Sequence, residues 1–261
     1  ANFTTLLTSL TNLAAFDAVH GDIISLPSGI YDNWDTNPSS IDAVNAAALG
    51  IRTIIQDYLK AHSSIKYVVL LGSDDIVPYR RVPDETVISN ERYYLLSARL
   101  KQGTPLHSSI LSGQDLTDDY YTDKQPTSAW GRELYIPDIP IGRLVETPQE
   151  IGAMANAFVS SGGVLRPSSG FAGGYTFFAD GANQMADNLA TRLSTSRLIN
   201  ESWNADDLRN GILFKSPPPD ISAPNAHYTH YAALSAAGFY GTVTTFKQKV
   251  LTTLDVVGSS V

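Results

Sequence analysis

Asn225-Ala226-His227-Tyr228-Thr229-His230-Tyr231 places two of the five histidines three residues apart. They stand at the end of Ile221–Tyr231, whose approach through Pro217-Pro218-Pro219 and apolar–polar mix read as a strand. An imidazole at a strand end is suited to general-base work or to orienting a nucleophile. Two imidazoles are also a metal-ligand pair, or a polar pair with no chemistry at all. Residues three apart point to opposite faces of a strand, so joint ligation by His227 and His230 requires a sharp turn.

The acids form two further groups. Gly72-Ser73-Asp74-Asp75-Ile76-Val77-Pro78 follows the apolar run Tyr67–Leu71 and sets two carboxylates side by side. Leu116-Thr117-Asp118-Asp119-Tyr120-Tyr121-Thr122-Asp123 mixes acids with aromatics, as a pocket for a cationic side chain or the ligands of a hard cation would. The competing reading is a loop of solvated acids and packed tyrosines. A divalent ion would relieve repulsion among Asp74, Asp75 and Asp123, so structural calcium is an expectation, though no cofactor is required.

Several chemistries are excluded. There is no cysteine, hence no disulfide, thiolate zinc site or cysteine nucleophile within this chain. No G-x-S-x-G elbow, dinucleotide or phosphate loop occurs, and the EF-hand spacing fails. A net charge of −8 argues against nucleic acid and anionic membrane surfaces as partners. No apolar run approaches the ~18 residues of a membrane span. Ala1-Asn2-Phe3-Thr4 lacks the basic and apolar regions of a secretion leader.

Short apolar strands alternating with amphipathic helices must position these residues. Ile41, Val44, Ala48, Ile51, Ile55 and Leu59 predict a helix after the cap candidates Ser39-Ser40. Asp22–Leu26, Ile65–Gly72, Gly174–Phe178 and Arg197–Ser202 read as strands, and Glu133–Leu144 as a strand or a broken strand pair. Thr147-Pro148-Gln149-Glu150 is a capping box, and helices are also expected from Asp180, from Asn204 and over Val243–Leu254. Residues 79–133 break the rhythm as a long insertion. The fold class expected is α/β: three layers, a mostly parallel sheet with helices on both faces. Active groups then belong at the C-terminal strand ends.

Three segments resemble the gingipain-type (C25) cysteine peptidases, whose fold is caspase-like. Tyr67–Pro78 is similar to the family's strand-plus-GDxxxIP segment, with Ser73 in place of the first aspartate. Thr117-Asp118-Asp119-Tyr120-Tyr121 resembles its TDxYY stretch, and Pro137-Asp138-Ile139-Pro140-Ile141-Gly142-Arg143-Leu144 its D-hxhGR segment. The resemblance implies residues 65–261 as the caspase-like α/β domain, cut short at its C-terminus. Residues 1–64 form an N-terminal helical or α/β segment, separate or part of the same domain.

The resemblance also implies a catalytic His227, with His230 as alternative. Ala226-His227 matches the family's small-His-Gly context, and Tyr228 replaces the glycine. Asp118, Asp119 and Asp138 would face a basic substrate side chain. The partner cysteine is absent, so the expectation is a cysteine-type endopeptidase domain lacking its nucleophile and inactive by itself. The alternative is a non-catalytic cell-surface or interaction module. Peptide or protein substrates, the remainder of a longer polypeptide, and a secreted or cell-surface location complete what the resemblance implies.

Overall fold

A computed structural model describes residues 3–95, 100–129, 131–145, 147–175, 178–225, 227–229 and 238–240. The chain divides into two compact units, one of residues 1–96 and 100–163, the other of 97–99 and 164–261.

In the first unit, α1 (Phe3–Ala15) is followed by the short α2 (Asp32–Thr36) and the long α3 (Ile41–Ala61). α3 begins where Ser40 Oγ accepts the Ala43 N–H at 3.2 Å, closing one of the orphan donors of its first turn. The apolar stripe of α3 (Ala48, Ile51, Ile55, Leu59) packs on Leu70, Val77, Tyr120, Tyr121 and Tyr135. Ile51 is 1% exposed, so truncating it to alanine should cost about 2–5 kcal/mol. β1 (Val68–Leu71) pairs in parallel with β6 (Ile141–Leu144), Val68 opposite Ile141 and Leu71 opposite Leu144. Between them the chain builds its own pieces. β2 (Arg80–Pro83) runs antiparallel to β3 (Gln114–Thr117), α4 spans Pro105–Leu111, and β4 (Thr127–Ala129) and β5 (Arg132–Leu134) form a hairpin. After β6, α5 (Pro148–Ser160) opens on the expected capping box between Thr147 and Glu150 and packs against α1.

The second unit holds a three-stranded parallel sheet in the order β8-β7-β9, with β7 Ser169–Gly174, β8 Ser194–Ile199 and β9 Ile221–Pro224. α6 (Ala179–Ala190) and α7 (Ala205–Ile212) cover opposite faces of β7. Gly170 and Gly174 look toward Leu189 and Ala182 of α6, whereas Phe171 lies against Gly211 of α7. The approach is close enough that a Cβ on Gly174 would sit 2.5 Å from Ala182 Cβ. β10 (His227–Thr229) then pairs antiparallel with β11 (Gly238–Tyr240).

The elements are mixed α/β, as expected; among the described residues two sheets pair in parallel and three further strand pairs are antiparallel. The 79–133 insertion accounts for two of those pairs. Asp22–Leu26 is not a strand, and the strand expected at Gly174–Phe178 ends at Gly174 instead, having begun at Ser169. Its run of small residues hides β7 from an apolar-periodicity reading. The expected helix at 243–254 lies outside the described residues.

Candidate functional site

The loop at the C-terminal end of β1 and the turn after β3 are organised around a buried arginine. Arg143, on β6, is 6% exposed at its side chain and forms a bidentate pair with Asp118, Nε to Oδ2 at 2.9 Å and Nη2 to Oδ1 at 2.5 Å. Its Nη1 donates to the carbonyls of Gly72, Ser73 and Val77 at 2.7, 3.2 and 2.8 Å, and the guanidinium lies 4.2 Å above the Tyr79 ring. Burial alone would lower the Arg143 pKa, but the hydrogen bond and charge of Asp118 outweigh it and raise it. One side chain thus fastens the loop after β1 to the turn at 118–121. Gly72 begins that loop at φ +114°, and a Cβ there would meet Ile76 at 2.8 Å. Only glycine fits.

A second arginine completes the frame. Arg81, on β2, has a fully buried side chain and grips both Asp74 oxygens at 2.6 and 2.5 Å. It also donates to Ser109 Oγ at 3.0 Å and the Tyr79 carbonyl at 2.7 Å. Asn45 of α3 holds the Arg81 backbone from both sides, accepting its N–H at 2.9 Å and donating to its carbonyl at 3.0 Å. Nothing in the sequence spacing marked Arg81 or Asn45. Tyr121 donates its hydroxyl to the Pro78 carbonyl, and desolvation pushes that phenol far above its ordinary value.

Most of the sequence-selected acids prove to be struts. Asp118 is taken by Arg143 and Asp74 by Arg81. Asp123 caps two backbone donors, Gln125 N–H at 2.7 Å and Ile136 N–H at 2.8 Å, while its carbonyl receives Arg52 at 2.6 Å. Asp138 accepts the Lys124 N–H at 2.7 Å. Asp75 is exposed. Asp119 differs: its carboxylate has no hydrogen bond or ion pair among the described residues. Desolvation, with the charges of Asp118 and Asp123, raises its pKa. The side chains of Asp74 and Asp123 are thus engaged by Arg81 and by backbone donors. No three acidic or histidine side chains converge as metal ligands among the described residues.

The candidate catalytic histidine, His227, belongs to the second unit. From β7 the chain crosses to β8 on one side, then returns to β9 on the other, so the connections diverge between β7 and β9. Such a switch point opens a crevice at the C-terminal strand ends. There Asn225 ties β9 to β7, its N–H and Nδ2 both donating to the Gly173 carbonyl at 2.9 and 3.1 Å. Trp203 Nε1 donates to the Gly174 carbonyl at 3.0 Å. The backbone of His227 lies just beyond, in β10, opposite Tyr240. His230 lies outside the described residues.

A sequence model of peptidase family C25 matches residues 21–258. The chain belongs to peptidase family C25. No curated protein and no solved structure matched the chain. For a C25 chain the absence of cysteine is the decisive chemical fact, since thiolate attack on a peptide bond has no donor among these residues. No helix among the described residues is long and apolar enough to cross a membrane.

Proposed function

We propose that this chain is a gingipain-like cysteine endopeptidase domain in scaffold and histidine, without the thiol, and that it does not hydrolyse peptides by itself. The observation that carries the reading is the C25 match over residues 21–258 in a sequence with no cysteine. His227 is the histidine that would take or hold the proton of a thiol supplied from outside these residues. Of Asp118, Asp119 and Asp138, we assign the basic substrate side chain to Asp119, whose carboxylate has no hydrogen bond or ion pair among the described residues. The caspase-like, three-layer arrangement belongs to the same reading. Parallel pairing in both units supports it, as do helices on both faces of β7.

The reading frame beyond Val261 tests this. A strand ending in cysteine within ~20 residues supports the peptidase; a stop codon or another residue there favours a non-catalytic interaction module. In a chain extended to include the cysteine, His227→Ala should lower hydrolysis about 10²–10⁴-fold, and His230→Ala far less. The reverse ranking transfers the role to His230.

A further inference from the structure

A cleft of about 590 Å³ opens in the first unit at the C-terminal end of α3 and receives Lys124 and Ile139 from the segments before β4 and β6. α3 leads into β1, and Ile139 precedes β6. The cleft therefore lies toward the N-terminal ends of these strands, and Gln56 in its lining donates to the Tyr121 carbonyl at 2.8 Å. Its volume is that of a small-ligand pocket.

Its lining departs from the rest of the molecule. The chain carries a net charge of −8, yet Lys60, Lys124 and His62 line this cleft against a single carboxylate, Asp57. Neither lysine is paired with a carboxylate among the described residues. Ile65 and Ile139, both partly exposed, add apolar surface beside them, and Leu59 beneath belongs to the buried core. The His62 ring is held in place, stacked on Tyr58 at 4.0 Å with Nδ1 3.0 Å from the Tyr58 carbonyl.

We propose that this cleft binds the C-terminal residue of a peptide that ends in an apolar side chain. The ligand must bring a carboxylate to the lysines and an apolar group to Ile65 and Ile139 within a small volume. A C-terminal apolar residue supplies both from one Cα. The two ammonium groups receive the carboxylate by charge-assisted hydrogen bonds, and the side chain leaves water against the aliphatic wall. The site is independent of any thiol and of His227.

Fluorescence anisotropy of the full chain with a fluorescein-labelled tetrapeptide ending in leucine tests the proposal. The free acid should bind about tenfold more tightly than the C-terminal amide. Raising the ionic strength from about 0.05 to about 0.5 M should weaken the binding, because the contacts are exposed. Lys60→Gln/Lys124→Gln should abolish the preference for the acid. Asp57→Asn should tighten binding by removing the opposing charge, a gain that a merely damaged fold cannot give. These positions are exposed, so the variants should keep the parent circular dichroism. Equal affinity for acid and amide, an unchanged preference in the double variant, or no binding at millimolar peptide overturns the proposal. So does equal binding of an amidated peptide with an internal glutamate, which would make a side-chain carboxylate the ligand.

Discussion

Arg143→Met removes the guanidinium while keeping an aliphatic side chain on β6. It deletes both bonds to Asp118 and those to the carbonyls of Gly72, Ser73 and Val77. Breaking a buried ion pair from one side costs about 3–5 kcal/mol, because the remaining charge is left without compensation. The Asp118 side chain is 18% exposed, so water relieves part of that penalty, while three carbonyls lose a charged donor and add to it. The expected loss is about 4 kcal/mol, against a total stability of roughly 5–15 kcal/mol. At ~2–4 °C per kcal/mol the Tm should fall by roughly 8–16 °C. Urea unfolding followed by far-ultraviolet circular dichroism measures the loss, and Asp118→Asn closes a double-mutant cycle. The pair should couple by more than about 1 kcal/mol, since the double variant leaves no unpaired carboxylate. If R143M does not fold, D118N alone should still cost several kcal/mol, on the order of the pair-breaking penalty. A cost below about 1 kcal/mol for R143M, or strict additivity in the cycle, refutes the hub.

Gly174→Ala should destabilise the second unit by about 1–3 kcal/mol by overpacking, because its Cβ would meet Ala182 Cβ at 2.5 Å. Ala182→Gly should recover part of that loss in thermal melts, and an unchanged Tm for the single variant contradicts the contact. Asp220 accepts from the N–H and hydroxyl groups of Ser168 and Ser169, which hold its pKa at about 2. Its folded pKa lies below the unfolded ~3.9, so its stabilisation is present above pH ~4 and fades as pH falls toward ~2. Asp220→Asn should lower stability at neutral pH and flatten the acid limb of the curve; an identical limb speaks against the latch. Thr147→Ala should cost about 0.5–2 kcal/mol through the lost α5 cap, and a cost near zero means that the capping box adds nothing to stability.

Local signals carried far in this sequence. The stripe of α3, the capping box at Thr147, the cap at Asn204 and the segment that became β1 were legible because period and cap chemistry act within a few residues. β7 was misplaced because small residues pack by backbone approach and leave no apolar pattern. The acids were found for their density, yet density does not distinguish a binding pocket from a strut. Asp74 and Asp118 are struts because Arg81 and Arg143 reach them, Arg143 from 25 positions along the chain. Arg143 itself stood in the D-hxhGR segment, so the motif was visible and its physical task was not. Asn45 gave no signal, since a polar residue on a helix reads as solvated until β2 is placed beside it.

The most direct test of the reading is hydrolysis by the pure 261-residue chain of fluorogenic peptides with Arg or Lys before the scissile bond. No turnover above the uncatalysed background is expected, because no thiol is present, and the parent and His227→Ala should not differ. Turnover by the parent that His227→Ala abolishes would contradict that reading, and would demand a serine or metal nucleophile in this scaffold.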